Sequence, residues 1–383
     1  MKPKITQQST ALDLHYPIRH RIPFETRNNI ILGYQGRKII NFCSNDYLGL
    51  SQHPAVLDTL QKAVREFGMG STASQYVSGY YQPQQILEER FSAFLSVDKA
   101  LYFSSGFLAN LAVISTLCKP KDLIFTDKYL HASLLDGIKL SGAKNVRYHH
   151  CDPAHLAKRL QDNHAPHQFI LSESVFSMQG SLAPLPSIIQ LSQQHKALLI
   201  VDDAHGIGVL GPKGRGCLEW YGLSQKDIPL LICPLGKAFG GMGAIVAGKT
   251  QWIDYLTQKA RPLIYSTAPP PAWAKALCTS LDLVEKEPER REKLQELTHQ
   301  FQTLAASYDL PFLPSKTPIQ GIRVGASDKA EHLSQALFRK GYWVAPIRPP
   351  TVPQNQACLR ITMNVHHSIE HLTKLVRLIK QHA

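Results

Sequence analysis

The 383-residue chain has no C-x-x-C pair: its seven cysteines (Cys43, Cys118, Cys151, Cys217, Cys233, Cys278, Cys358) are odd in number and widely scattered. That pattern suggests neither a disulfide framework nor a cysteine zinc site, no metal is expected, and a reducing cytosol fits best. No segment approaches the roughly 18 consecutive apolar residues of a membrane span, and the first 21 residues carry no apolar run behind their basic residues. A soluble cytoplasmic protein is therefore expected. Neither H-E-x-x-H nor G-x-S-x-G occurs, so zinc-protease and serine-hydrolase chemistry have no local support. No period of roughly 20 to 50 residues repeats. Acidic residues are the scarcer charge, 29 against 42 basic, for a net charge of +13. An anionic partner would suit that balance, but the basic residues are dispersed and not interleaved with aromatics, so no nucleic-acid surface is expected.

What the chain does have is a succession of short apolar runs between helix-length segments: "ALYF" at 100, "DLIFTD" at 122, "NVRYHH" at 145, "QFILSES" at 168, "ALLIVDD" at 197, "PLLICPLG" at 229 and "GAIVAG" at 243. Continuous apolar runs imply strands buried on both faces, hence a mainly parallel α/β sheet. Residues 1–43 read as an arm leading into a short strand pair near "IILGYQGRKIINF", and 44–280 as a large α/β domain. Residues 281–383 read as a helical connector and a small C-terminal α+β domain.

One stretch, "ALLIVDDAHGIGVLG" at 197–211, admits two meanings. Gly206, Gly208 and Gly211 spell G-x-G-x-x-G after a strand, as in a dinucleotide-binding dehydrogenase. In that motif, however, the last glycine opens a helix. Here Pro212, Gly214 and Gly216 follow Gly211, which disfavours helix propagation. Metal binding by Asp202, Asp203 and His205 is likewise weak, because adjacent strand residues face opposite ways.

The alternative is Asp202 acting as a carboxylate at the carboxyl end of a strand, where open α/β sheets keep their ligands. About 35 residues later Lys237 follows a second apolar run and is flanked by glycines. Each residue alone reads equally well as a solvated loop group. Together they form the pair that a pyridoxal 5'-phosphate (PLP) enzyme requires: a lysine for the aldehyde and a carboxylate for the ring nitrogen. "YFSSGFLANLAV" offers a strand end and a helix N-terminus for the phosphate, although the same residues suit an ordinary helix cap.

These residues lie in stretches that resemble the α-oxoamine synthases, fold-type I PLP-dependent transferases, from about residue 12 onward. The matching motifs are "SNDYLGL" (44–50), "SSGFLAN" (104–110), "HASLLDG" (131–137), "ESVFSMQGSLAPL" (173–185), "DDAHGIGVLGPKGRG" (202–216), "GKAFG" (236–240), "YSTAPPP" (265–271) and "IRPPTVP" (347–353). The resemblance implies that Lys237 is the Schiff-base lysine and Asp202 the pyridinium partner. It implies that His205 bonds the ring's phenolic oxygen, His131 stacks on the ring, and Gly106, Phe107 and Ser177 contact the cofactor. Ser266 or Thr267 would bind the phosphate of a neighbouring subunit, which implies a homodimer with shared active sites. Asn45 and Arg360 would hold the amino-acid carboxylate, and Arg19, Arg348 and Thr351 would line the acyl-thioester site. The implied reaction is a decarboxylative condensation of L-alanine with pimeloyl-CoA or a pimeloyl-carrier protein, a step of biotin biosynthesis. A different amino acid or acyl-CoA within the same family is the alternative. So is a non-catalytic PLP fold, motivated by Pro234 in place of the family's phosphate-binding threonine and by Gln84 in place of a histidine. The stretch "GSTASQY" at 70–76 also departs from the glycine-rich family version.

Overall fold

The computed structural model describes residues 21–349 and 351–382. Three sheets organise the chain. The first joins β1 (Thr26–Asn28), β2 (Ile31–Tyr34) and β3 (Arg37–Asn41) in an antiparallel meander. The second contains β4 (Lys99–Phe103), β5 (Leu123–Asp127), β6 (Lys144–Tyr148), β7 (Gln168–Glu173), β8 (Leu198–Asp202), β9 (Leu230–Pro234) and β10 (Ala244–Gly248). Its order is β4-β10-β9-β8-β7-β5-β6, with β9 to β6 parallel and β10 antiparallel to both of its neighbours. The third is antiparallel, β11 (Phe312–Leu313), β12 (Ile319–Gly325), β14 (Ala345–Ile347) and β15 (Ala357–Thr362), in the order β11-β12-β15-β14. Between them in sequence, β13 (Tyr342–Trp343) pairs in parallel with β3, so the N-terminal meander is tied to the C-terminal part of the chain.

The continuous apolar runs are explained by burial on both faces of the central sheet. Along β8, Leu199 and Val201 enter one core while Ile200 enters the other, packed with Ala109, Val113 and Ile114 of the helix Gly106–Leu117. All three strand residues are essentially inaccessible, and truncating such a side chain to alanine typically costs about 2–5 kcal/mol. The same period of two sends Asp202 to the face of the Gly106–Leu117 helix and Asp203 to the opposite face. The side chains at the strand ends are therefore aimed before any loop is considered.

Gly206, Gly208 and Gly211 open no helix; the chain turns repeatedly until the short helix Cys217–Trp220. The turns wrap the Asp203 carboxylate, which accepts from Ser174 Oγ and, at 3.0 Å, from the backbone N–H of Cys217. A Cβ at Gly206 would lie 2.0 Å from one Asp203 oxygen, and one at Gly216 would lie 1.8 Å from the other. These glycines thus leave room for an internal carboxylate rather than for a pyrophosphate, which disposes of the dinucleotide reading. Burial pushes Asp203 up to about 7.

Candidate active site

Four elements converge at the carboxyl ends of β7, β8 and β9. Asp202 ends β8 and is buried; its Oδ1 accepts from the Ala204 N–H at 3.0 Å and its Oδ2 from Asn110 Nδ2 at 2.8 Å. Glu173, opposite it in register on β7, is also buried and accepts the His131 N–H at 2.7 Å. Burial and the neighbouring Asp202 charge push Glu173 up to about 8. Two carboxyl groups side by side in a buried site disfavour a second negative charge, and near neutrality the protonated form of Glu173 is favoured.

Lys237 stands in the turn after β9, and its Nζ lies 3.1 Å from His205 Nε2. Burial lowers the lysine from its ordinary value against the opposing pull of Asp202 and Glu173, which raises the fraction of free, nucleophilic amine. His205 is held on its other side by Tyr47, whose hydroxyl is 2.6 Å from Nδ1. Burial and the Lys237 charge push this histidine well below its usual range, so it is neutral. With the lysine donating to Nε2, Nδ1–H donates to Tyr47, and the Tyr47 hydroxyl donates to Asn45 Oδ1 at 3.3 Å. Asn45 Oδ1 also accepts from Arg360 Nη2 at 3.0 Å, while Arg360 Nε donates to the Ser177 carbonyl at 2.6 Å. One hydrogen-bonded line therefore runs from Lys237 through His205, Tyr47 and Asn45 to a guanidinium on β15.

His131 caps the helix Ala132–Ser141, accepting the Ser133 N–H on Nδ1 at 3.2 Å, and its ring is exposed at the site's rim. The cap and the cofactor readings are thus compatible in one residue. Gly106 and Phe107 open the helix Gly106–Leu117, with Ser105 Oγ accepting the Leu108 N–H at 3.2 Å. The first two N–H groups of that helix have no intrahelical acceptor and suit an anion. Pro234 packs directly against this turn: a Cβ on Gly106 would lie 2.7 Å from Pro234 Cγ. The proline supplies no hydroxyl, but it fixes the close approach of β9 to the helix start. Gln84 is equally well integrated, being fully buried with Nε2 donating to the Gly79 carbonyl at 3.1 Å and the Pro269 carbonyl at 2.7 Å. It clamps the 265–271 segment to the 71–79 segment, assisted by Ser71 Oγ on the Pro269 carbonyl and by the Ser74–Thr267 bridge.

Ser266 is half-buried and Thr267 exposed, and among the described residues neither side chain hydrogen-bonds to the Lys237 line. Arg348 pairs with Glu331, Thr351 is exposed, and Arg19 lies outside the described residues. Sequence reading missed Glu173, Tyr47, Asn110 and Ser133. Tyr47, Asn110 and Ser133 sit inside recognised motifs, but their partners are remote in sequence, and only Glu173, a carboxylate ending an apolar strand run, carried a local signal.

This donor set suits PLP: an amine of lowered basicity, a buried carboxylate, free N–H groups at a helix start and a buried guanidinium. The chain matches the profile of the family described as aminotransferase class I and II over residues 37–379. The 8-amino-7-oxononanoate synthase of Marinobacter nauticus is 46% identical over 90% of this chain and 87% of its own length. Among solved structures, the 8-amino-7-oxononanoate synthase of Francisella tularensis is 36% identical, with a TM-score of 0.79 over 90% of this chain and 97% of that one. The serine palmitoyltransferase of Sphingomonas wittichii is 27% identical, with a TM-score of 0.92 over 100% and 96%. The chain accordingly belongs to the 8-amino-7-oxononanoate synthase family of biotin biosynthesis, PLP-dependent acyltransferases of fold type I within the α-oxoamine synthases.

Proposed function

We propose that the protein condenses L-alanine with a pimeloyl thioester, carried on CoA or on an acyl-carrier protein, releasing carbon dioxide and the free thiol carrier to give 8-amino-7-oxononanoate. The observation that carries this reading is the unbroken line Lys237–His205–Tyr47–Asn45–Arg360 beside the buried Asp202. Lys237 would hold the PLP aldehyde and Asp202 the ring nitrogen, with the ring faced by His131 and its phenolic oxygen by His205. Gly106, Phe107 and Ser177 would contact the cofactor, and Ser266 or Thr267 of a second subunit would bind its phosphate. When bound, PLP supplies an electron sink for the pair released as a bond at the amino acid's α-carbon breaks.

The chain's own residues do the rest. Arg360 and Asn45 hold the amino-acid carboxylate, the planar guanidinium being suited to a two-point grip. Lys237, once its amine is free, is positioned to take the α-proton, and its lowered basicity lets it give that proton up again. Arg19, Arg348 and Thr351 would receive the thioester, whose polyanionic carrier suits the chain's net charge of +13.

Shared sites require a homodimer. The exposed Met69, Tyr76, Val77 and Tyr265 supply an apolar surface for it, with Tyr265 on the segment that would donate Ser266 and Thr267. Residues 44–280 would form the PLP-binding domain and 281–383 the smaller one. Among the described residues no helix is long and apolar enough to cross a membrane, and a cytoplasmic location is part of this proposal. Gln84 and Pro234, both packed into the fold, weigh against a degenerate non-catalytic protein.

The test is to supply the PLP-loaded protein with L-alanine, glycine or L-serine against acyl-CoAs of graded chain length and to identify products by mass. Formation of 8-amino-7-oxononanoate with alanine and pimeloyl-CoA preferred is the expected result. Preference for another amino acid or a longer acyl chain would move the protein to another member of the α-oxoamine synthase group.

A further inference from the structure

Behind the groups that face the ligand lies a second chain of hydrogen bonds, buried at Asp202, Asn110 and Ser133 and ending on the exposed His131. Asn110 projects from the first turns of the helix Gly106–Leu117 and is buried, as is Ser133 on the helix Ala132–Ser141. Asn110 Nδ2 lies 2.8 Å from Asp202 Oδ2 and 2.9 Å from Ser133 Oγ. Ser133 Oγ in turn lies 2.7 Å from His131 Nδ1, which the Ser133 backbone N–H also approaches at 3.2 Å. The Asn110 Oδ1 atom is buried with no partner, so the amide is oriented by its donors alone.

Counting protons fixes the direction of the chain. An amide nitrogen has two hydrogens: one goes to the Asp202 carboxylate and the other to a lone pair of the Ser133 hydroxyl. The single Ser133 proton then has His131 Nδ1 as its acceptor, and the backbone N–H converges on the same atom. Two donors on Nδ1 leave no room for a proton there, and in a neutral imidazole the proton must sit on Nε2. Desolvation lowers His131 against the opposing Asp202 charge, in keeping with a neutral ring. The helix pair is packed closely enough to hold these distances: a Cβ on Gly137 would lie 2.9 Å from Ile114 and 3.3 Å from the Asn110 carbonyl.

We propose that Asn110 and Ser133 are positioning residues that lock His131 in its Nε2–H tautomer and anchor the Asp202 carboxylate, so that one buried chain sets both groups. The assignment of those groups to the cofactor's ring face and ring nitrogen rests on the PLP reading above; the tautomer and the anchoring do not.

The test uses the full-length protein labelled with ¹⁵N-histidine, with a His131→Gln sample to identify the His131 signals among the 17 histidines. At neutral pH the wild type should show His131 with Nε2 protonated and Nδ1 bare. Ser133→Ala should populate the other tautomer as well, while the visible band of added PLP persists. Asn110→Leu should weaken PLP binding by about tenfold, the lower end of losses when an outer hydrogen-bond partner is removed from a ligating group. Nδ1–H as the main form in the wild type would overturn the proposal, and so would a tautomer unchanged in a folded Ser133→Ala variant or unaltered PLP binding in a folded Asn110→Leu variant. Should either variant fail to fold, the wild-type tautomer decides. A wild-type protein that shows no visible band with PLP would defeat the functional reading while leaving the tautomer result standing, which keeps the two failures apart.

Discussion

The two sides of this active site are built by different physics. On the cofactor side, Asp202, Glu173 and His205 are buried, come from neighbouring strand ends, and are fixed by hydrogen bonds to Asn110, His131 and Tyr47. On the side proposed to take the acyl group, Arg348 is tied to Glu331, itself more than a third exposed, and Thr351 lies open to solvent. A buried polar network is costly to break, because each lost partner leaves another group unsatisfied, whereas an exposed ion pair contributes little. On the proposed reading, chemistry falls to the buried, hydrogen-bonded half of the site and choice of acyl group to the half that can change at small cost to the fold.

That contrast is open to direct attack. Lys237→Ala should remove the most: turnover should fall by at least about 10³-fold, and after borohydride reduction and denaturation the variant should retain none of the near-ultraviolet pyridoxyl absorbance that stays with the wild type, since the covalent attachment and the proton carrier are lost together. Residual turnover within tenfold of wild type would mean that the cofactor-side reading is wrong. Arg360→Lys should leave the PLP spectrum in place and raise KM for alanine by roughly 10- to 100-fold, because a point charge cannot reproduce the planar two-point grip; an altered spectrum with unchanged KM would place Arg360 on the cofactor instead. Arg348→Ala should raise KM for the pimeloyl thioester by about tenfold at most and leave KM for alanine and the melting temperature unchanged, as expected of a partly exposed ion pair. A melting temperature lowered by several degrees would erase the distinction between the two sides. The smallest effect is expected from Pro234→Thr: a restored hydroxyl should tighten PLP binding about threefold or less, since the helix N-terminus already supplies phosphate donors. A much larger gain by equilibrium titration would show that the proline leaves the phosphate poorly held.

The strand ends were legible because a buried strand announces itself as an apolar run, and a charged residue closing such a run has few places to go. "ALLIVDD" and "PLLICPLGK" therefore located Asp202 and Lys237 before any fold was known. Pro212, Gly214 and Gly216 already spoke against a dinucleotide loop at glycines 206, 208 and 211, but only the turns around the Asp203 carboxylate, with 2.0 Å and 1.8 Å left for absent Cβ atoms at Gly206 and Gly216, show what those two are for. Pro234 and Gln84 looked like losses from sequence because a missing hydroxyl or imidazole is visible there, while the packing against Gly106 and the bonds to Pro269 are not.

By itself, then, the sequence determined the mainly parallel sheet and the two strand-end residues proposed to carry the chemistry, because both are written in local periodicity and local spacing, while the family followed from the resemblance of its motifs. The tertiary structure alone decided that Glu173 is pushed toward its protonated form beside Asp202, which nitrogen of His131 bears the proton, and how Arg360 is joined to a lysine 123 positions away. Those outcomes depend on desolvation and on hydrogen bonds between residues that only folding brings within about 3 Å of one another.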